Sequence, residues 1–101
     1  MNQKDKTKFR ASKKWRDFRD RIRHEQVKDP VTGAKLSRLA NLHHMDLNAD
    51  NYEDLSDDSH FVFLNQATHK TIHFFAHKDW RKRLAVMTEL LERMAEINGW
   101  P

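Results

Sequence analysis

The chain has 101 residues, 38% hydrophobic and 34% charged, which suits one small core and leaves little room for a second. It contains no Cys, which excludes disulfides, a thiol nucleophile and Cys-ligated zinc or iron–sulfur centres. The net charge of +4 is unevenly placed: residues 1–28 hold eleven basic and four acidic side chains, residues 29–101 eight and eleven. Such a basic end attracts polyanions, nucleic acid being the usual one, although a solvated helix face and a basic tail give the same composition. No apolar run approaches the ~18 residues of a membrane span, and the start of the chain lacks the apolar stretch of a secretory signal. A cytoplasmic protein is expected.

Residues 1–10 carry no apolar periodicity and read as a flexible basic tail, leaving 11–101 as a single domain. Ser12 is placed to cap a helix from about Lys13 to Gln26, with Trp15, Phe18 and Ile22 as its apolar stripe and a basic outer face. Asp29-Pro30-Val31-Thr32-Gly33 reads as a tight turn. Residues 36–45 give a strand that Ala40 and Asn41 weaken, followed by a polar loop over 46–58 pinned by Tyr52 and Leu55. That loop holds six acids and no base. Phe61–Leu64 is a short run of strand formers. Asn65 is placed to cap a helix over about Gln66–His77, and Asp79 to cap a second one. From Trp80 to Ile97 the apolar residues Trp80, Leu84, Met87, Leu90, Leu91 and Met94 follow a helical period, and Asn98-Gly99 ends it. Of these, Leu84, Met87, Leu91 and Met94 are expected in the core with Trp15, Phe18, Ile22, Phe61, Phe63, Leu64, Ile72 and Phe75.

The chain has seven His, and their spacing is more informative than their number. His69, His73 and His77 fall at i, i+4 and i+8, one face of a helix, where two imidazoles on neighbouring turns can share a metal ion. His43 and His44 are neighbours at a strand end and point to opposite faces. His60 stands just before the second strand. Each feature alone is common on half-buried surfaces. The ordered set is more specific: an HH dipeptide, a polar loop, a four-residue apolar strand, a capped helix start and HxxxH.

That order resembles the HNH endonucleases. The matching text is Leu42-His43-His44, Asn51–Ser56, His60–Asn65 and Thr68–His73. Phe9–Trp15, Phe18-Arg19 and the Thr32-Gly33 turn are similar to the entry helix and hairpin of small bacteriophage and prophage members. The resemblance covers roughly residues 9–77. It implies an α+β fold: a small ββα-metal (His-Me finger) core over about 36–78, an N-terminal basic helix, and a C-terminal amphipathic helix over about 80–97. Many members carry paired CxxC motifs. Here Asn65 and Thr68 stand where the second pair would fall, and the Asp29–Gly33 turn lies near the first. The fold is therefore expected to be held by apolar packing, with the C-terminal helix contributing. His60 stands where the family has Asn.

The resemblance implies metal-dependent hydrolysis of DNA phosphodiester bonds to 5′-phosphate and 3′-hydroxyl ends. His44 would be the general base and His60 would orient it. His43, His69 and His73 would hold one divalent cation (magnesium, manganese, nickel or zinc). Three imidazoles favour the transition metals over magnesium. Asp46 is placed to orient a histidine or approach the metal, and His77 to add a fourth ligand. Arg10, Lys13, Lys14, Arg16, Arg19, Arg23 and Lys70 would contact the phosphate backbone of DNA. In phage relatives the setting is DNA packaging beside the large terminase. The alternative is a non-catalytic HNH-like module that binds DNA or protein and keeps a structural metal.

Overall fold

The computed structural model describes residues 2–101; the first residue of the expected tail lies outside them. The fold is α+β. Among the described residues it comprises helices α1 (Gln3–Arg10), α2 (Lys13–Glu25), α3 (Gln66–Phe75) and α4 (Trp80–Asn98), with strands β1 (Asn41–His44) and β2 (Phe61–Leu64). The chain divides into two compact units, Met1–His69 and Lys70–Pro101, and the division falls inside the unbroken helix α3. No helix is long and apolar enough to cross a membrane among the described residues.

Residues 3–10, expected to lack regular structure, form α1. The Asn2 side chain accepts the Asp5 amide and basic residues occupy the last turn, so local capping supplies what apolar periodicity does not. The Ser12 hydroxyl accepts the Trp15 amide and starts α2 as expected. Phe18 and Ile22 are the buried face of α2. They pack with Leu36, Ala40, Phe61 and Phe63, and Trp15, Leu42 and Leu55 close the rim. The Phe18 and Phe61 rings meet edge-to-face at 4.7 Å.

The strands pair antiparallel in the register Asn41↔Leu64, Leu42↔Phe63, His43↔Val62 and His44↔Phe61. The expected strand over 36–45 is shorter than its sequence suggested. Leu36 bonds back to the Val27 carbonyl, and the chain then turns between Ser37 and Ala40. Among the described residues no third strand pairs with the outer edge of β2. Instead the Gln26 carboxamide accepts the Phe63 amide at 2.7 Å and donates to the Phe63 carbonyl at 2.8 Å. One side chain thereby satisfies both main-chain groups of a fully buried residue.

The Asp29–Gly33 turn closes as expected, with the Gly33 amide on the Asp29 carbonyl and Gly33 at φ 70°. The Asp29 side chain is 0% exposed. One carboxylate oxygen accepts the amides of Val31 and Thr32, and the other accepts the amide of Asn65. The Thr68 hydroxyl bonds the same carboxylate. Burial pushes this carboxyl up, but the four hydrogen bonds together hold it below its ordinary value. Packing alone therefore does not hold the fold, contrary to expectation: a buried carboxylate ties the turn to the start of α3. Asn65 sits at the expected cap position, immediately before α3. It accepts the Ser37 amide and donates to the Lys35 carbonyl.

In the second unit α4 ends as expected at Gly99, at φ 67°. Asp79 precedes it without making a side-chain cap. The expected burial of the α4 stripe is corrected: Leu84, Met87, Leu91 and Met94 are 40–52% exposed, and no residue of α4 is buried. Periodicity marks a face but does not supply a layer to cover it.

Candidate metal centre and nucleic-acid interface

The β1–β2 register fixes where the histidines point. His43, 5% exposed, faces inward and meets the His69 ring edge-on at 5.3 Å. His73 follows His69 by one turn of the continuous helix α3. One ring nitrogen from each of His43, His69 and His73 lies within 4.8 Å of the others. These three side chains are close enough to bind one metal ion. The set is all nitrogen, which suits zinc, nickel, cobalt or manganese better than magnesium.

His44 points to the other face, as the strand period requires. Its ring stacks on Phe61 at 4.4 Å, with 12° between the planes, and Tyr52 lies 6.3 Å away. Its Nε2 is buried without a hydrogen-bond partner. Burial chiefly pushes this imidazole below its ordinary value; Asp46 and Asp54 act in the opposite sense, and His60 reinforces the effect of burial. Burial thus favours the neutral imidazole over the imidazolium at His44.

His60 stands at the end of the short turn Asp58–His60. Its carbonyl accepts the Met45 amide at 2.7 Å, which fixes the residue after His44. Its Nε2 lies 3.5 Å from Asp57, so the ring is paired with the acidic loop. Asp46 is engaged in the loop as well. Its oxygens accept the Asn48 amide and the Asn51 carboxamide, which hold its carboxyl below the usual range. At the end of α3, the His77 Nδ1 accepts the Asp79 amide at 3.1 Å. The metal-capable group among the described residues comprises His43, His69 and His73, and does not include His77.

The acidic loop is structural. Asp54 and Asp57 close turns on Ser56 and Ser59, and Arg21 grips Asp58 through two bonds of 2.8 and 2.9 Å. Tyr52 pins the loop as expected, with Phe9 edge-on at 5.9 Å and Lys6 over its ring at 5.0 Å.

The basic candidates separate into groups. Arg10, Arg19 and His69 line one recess of about 270 Å³. Lys14, Arg16 and Lys70 are exposed, as is Lys13, which pairs with Asp17 one turn on. Arg23 is committed elsewhere. It donates to the carbonyls of Gln26, Leu36 and Ser37 and lies over the Phe63 ring. Sequence reading missed Gln26, Asp29 and Arg21. Each works through a partner more than thirty positions away, and no local pattern signals such a pairing. Comparison with protein-family models, with curated proteins and with solved structures finds no match for this chain.

Proposed function

We propose that the chain is a metal-dependent DNA endonuclease of the HNH type. The observation that carries this reading is the convergence of His43, His69 and His73 beside a strand end that presents His44 on its opposite face. A divalent cation held by the three imidazoles would supply charge neutralisation at the scissile phosphate and the departing 3′ oxygen. His44 takes the proton of the attacking water, for which a neutral imidazole is required. His60 positions His44 through the main chain: its carbonyl holds Met45, and the register holds His44 against Phe61. Arg10 and Arg19 border the recess that His69 lines and attract the phosphate there. Lys14, Arg16 and Lys70 add contacts that fix the duplex without reading its sequence. The pairing of the His60 ring with Asp57 favours a second reading, a non-catalytic DNA- or protein-binding module with a structural metal.

Plasmid cleavage separates the two. Purified protein is assayed in EDTA, magnesium, manganese, nickel and zinc, beside His44→Ala and His69→Ala. Metal-dependent nicking or linearisation that both variants lose is the expected result. A folded, metal-binding protein that cuts nothing in any metal would establish the binding module. Cleavage that survives His44→Ala would remove His44 as the base.

A further inference from the structure

Strand β1 has one free edge: among the described residues only β2 pairs with it. The register shows what that edge offers. Phe63 turns both its main-chain groups toward Gln26, away from β1, and the Met45 amide reaches the His60 carbonyl. Antiparallel partners alternate between exchanging hydrogen bonds and not. Leu42, opposite Phe63, therefore points its own N–H and C=O out of the free edge. Asn41 precedes it, on the face of the strand that carries His43. The half-buried Asn41 carboxamide bonds nothing among the described residues.

Asn41 and Leu42 line the recess of about 270 Å³ that His69 borders, together with Trp15, Arg10 and Arg19. Trp15 is half-buried at the rim of the core. Arg10 lies over the Tyr52 ring and Arg19 over the Phe63 ring, and neither pairs with an acid among the described residues. No acid lines the recess. These walls suit an anion that has an aromatic part and a hydrogen-bonding edge, and the volume admits one small group and not a length of chain. A single nucleotide has all three features. In an intact duplex the base is stacked and paired, whereas an unpaired nucleotide is the least costly to turn out.

We propose that this recess takes one unpaired nucleotide of the strand to be cut. Its phosphate lies on Arg10 and Arg19 and its base along Trp15, and the Asn41 carboxamide and the Leu42 main chain read the base edge. The inference rests on the nuclease reading above and narrows its substrate to DNA with a bulged, mismatched or single-stranded nucleotide beside the cut.

Fluorescence anisotropy in EDTA, where no cleavage intervenes, tests this with the full chain and two labelled DNA duplexes that differ by one unpaired nucleotide. The bulged duplex should bind about tenfold more tightly, the scale of one base stacked on an aromatic ring. An abasic sugar at the unpaired position should cancel that gain, and Asn41→Ala should cut it by about threefold. Equal affinity for the intact and bulged duplexes would overturn the proposal. So would a gain that the abasic duplex keeps, since a flexible backbone alone would then explain it. That comparison uses the parent protein and decides the matter even if Asn41→Ala fails to fold. Plasmid cleavage is scored separately. A preference for the bulge in a protein that cuts nothing would support the recess and refute the nuclease, and cutting without the preference would do the reverse.

Discussion

Removing the Asp29 carboxylate should be the most damaging single change to the Met1–His69 unit. Asp29→Ala orphans the amides of Val31, Thr32 and Asn65 and the Thr68 hydroxyl around a fully buried position. Hydrogen bonds to a charged group contribute about 1.5–3 kcal/mol each, but members of one network do not add. A loss of about 3–5 kcal/mol follows, comparable to breaking a buried ion pair. In a domain of this size that lowers the melting temperature by roughly 12–40 °C. Asp29→Asn keeps one acceptor oxygen but turns amide hydrogens toward existing donors, so it should lose about 2 kcal/mol. The pH dependence has a definite sign. The folded carboxyl lies below its unfolded value of about 3.9, so its stabilisation is complete above that pH. It fades as pH falls through the folded value. Urea melts of parent and variants between neutral and acid pH would show the two curves converging at the acid end. An Asp29→Ala protein that melts within about 0.5 kcal/mol of the parent at neutral pH would refute the reasoning.

Other changes separate structural from functional roles. Gln26→Leu leaves the Phe63 amide and carbonyl without their partner and should cost about 2 kcal/mol in urea melts, with no change in metal uptake. Arg23→Ala frees three carbonyls and uncovers part of Phe63. It should lower the melting temperature while leaving intact the salt dependence of the DNA binding that the proposed function requires. Lys14→Ala with Arg16→Ala should do the reverse. Each cation removed from the phosphate backbone should flatten the slope of log K against log salt by about one, read by fluorescence anisotropy. Equal salt slopes for the two sets would remove the distinction.

Elements that follow from a local period were legible in the sequence. The Trp15, Phe18 and Ile22 stripe gave α2, and Ser12 gave its start. Asn98-Gly99 gave the end of α4, and the histidine spacing placed His69 and His73 on one face of α3. The four-residue strand Phe61–Leu64 was legible from its β-branched and aromatic content. Three features were not. The strand over 36–45 shrank to Asn41–His44 because Leu36 pairs with Val27 and Ser37 begins a turn, both settled by distant chain. Helix α1 formed without an apolar stripe. The α4 stripe was read correctly as a face and wrongly as core, since period does not identify the neighbour.

The parts that were illegible also set the geometry of the parts that were legible. His43 and His69 meet only if the start of α3 is held at the right distance from β1. The Asn65 amide and the Thr68 hydroxyl, immediately before His69, are held by Asp29. A structural carboxylate thus positions a candidate ligand without touching it. Thr68→Val, nearly isosteric, removes one of its four hydrogen bonds and should cost about 1 kcal/mol in stability. It also releases the first turn of α3, so zinc affinity should fall further than that loss of stability alone would produce at a temperature well below melting. Competition with a chromophoric chelator, beside a urea melt of the same preparation, measures both. Zinc affinity equal to the parent's, with the melt shifted as expected, would show that Asp29 supports the fold alone and that α3 places His69 by its own packing.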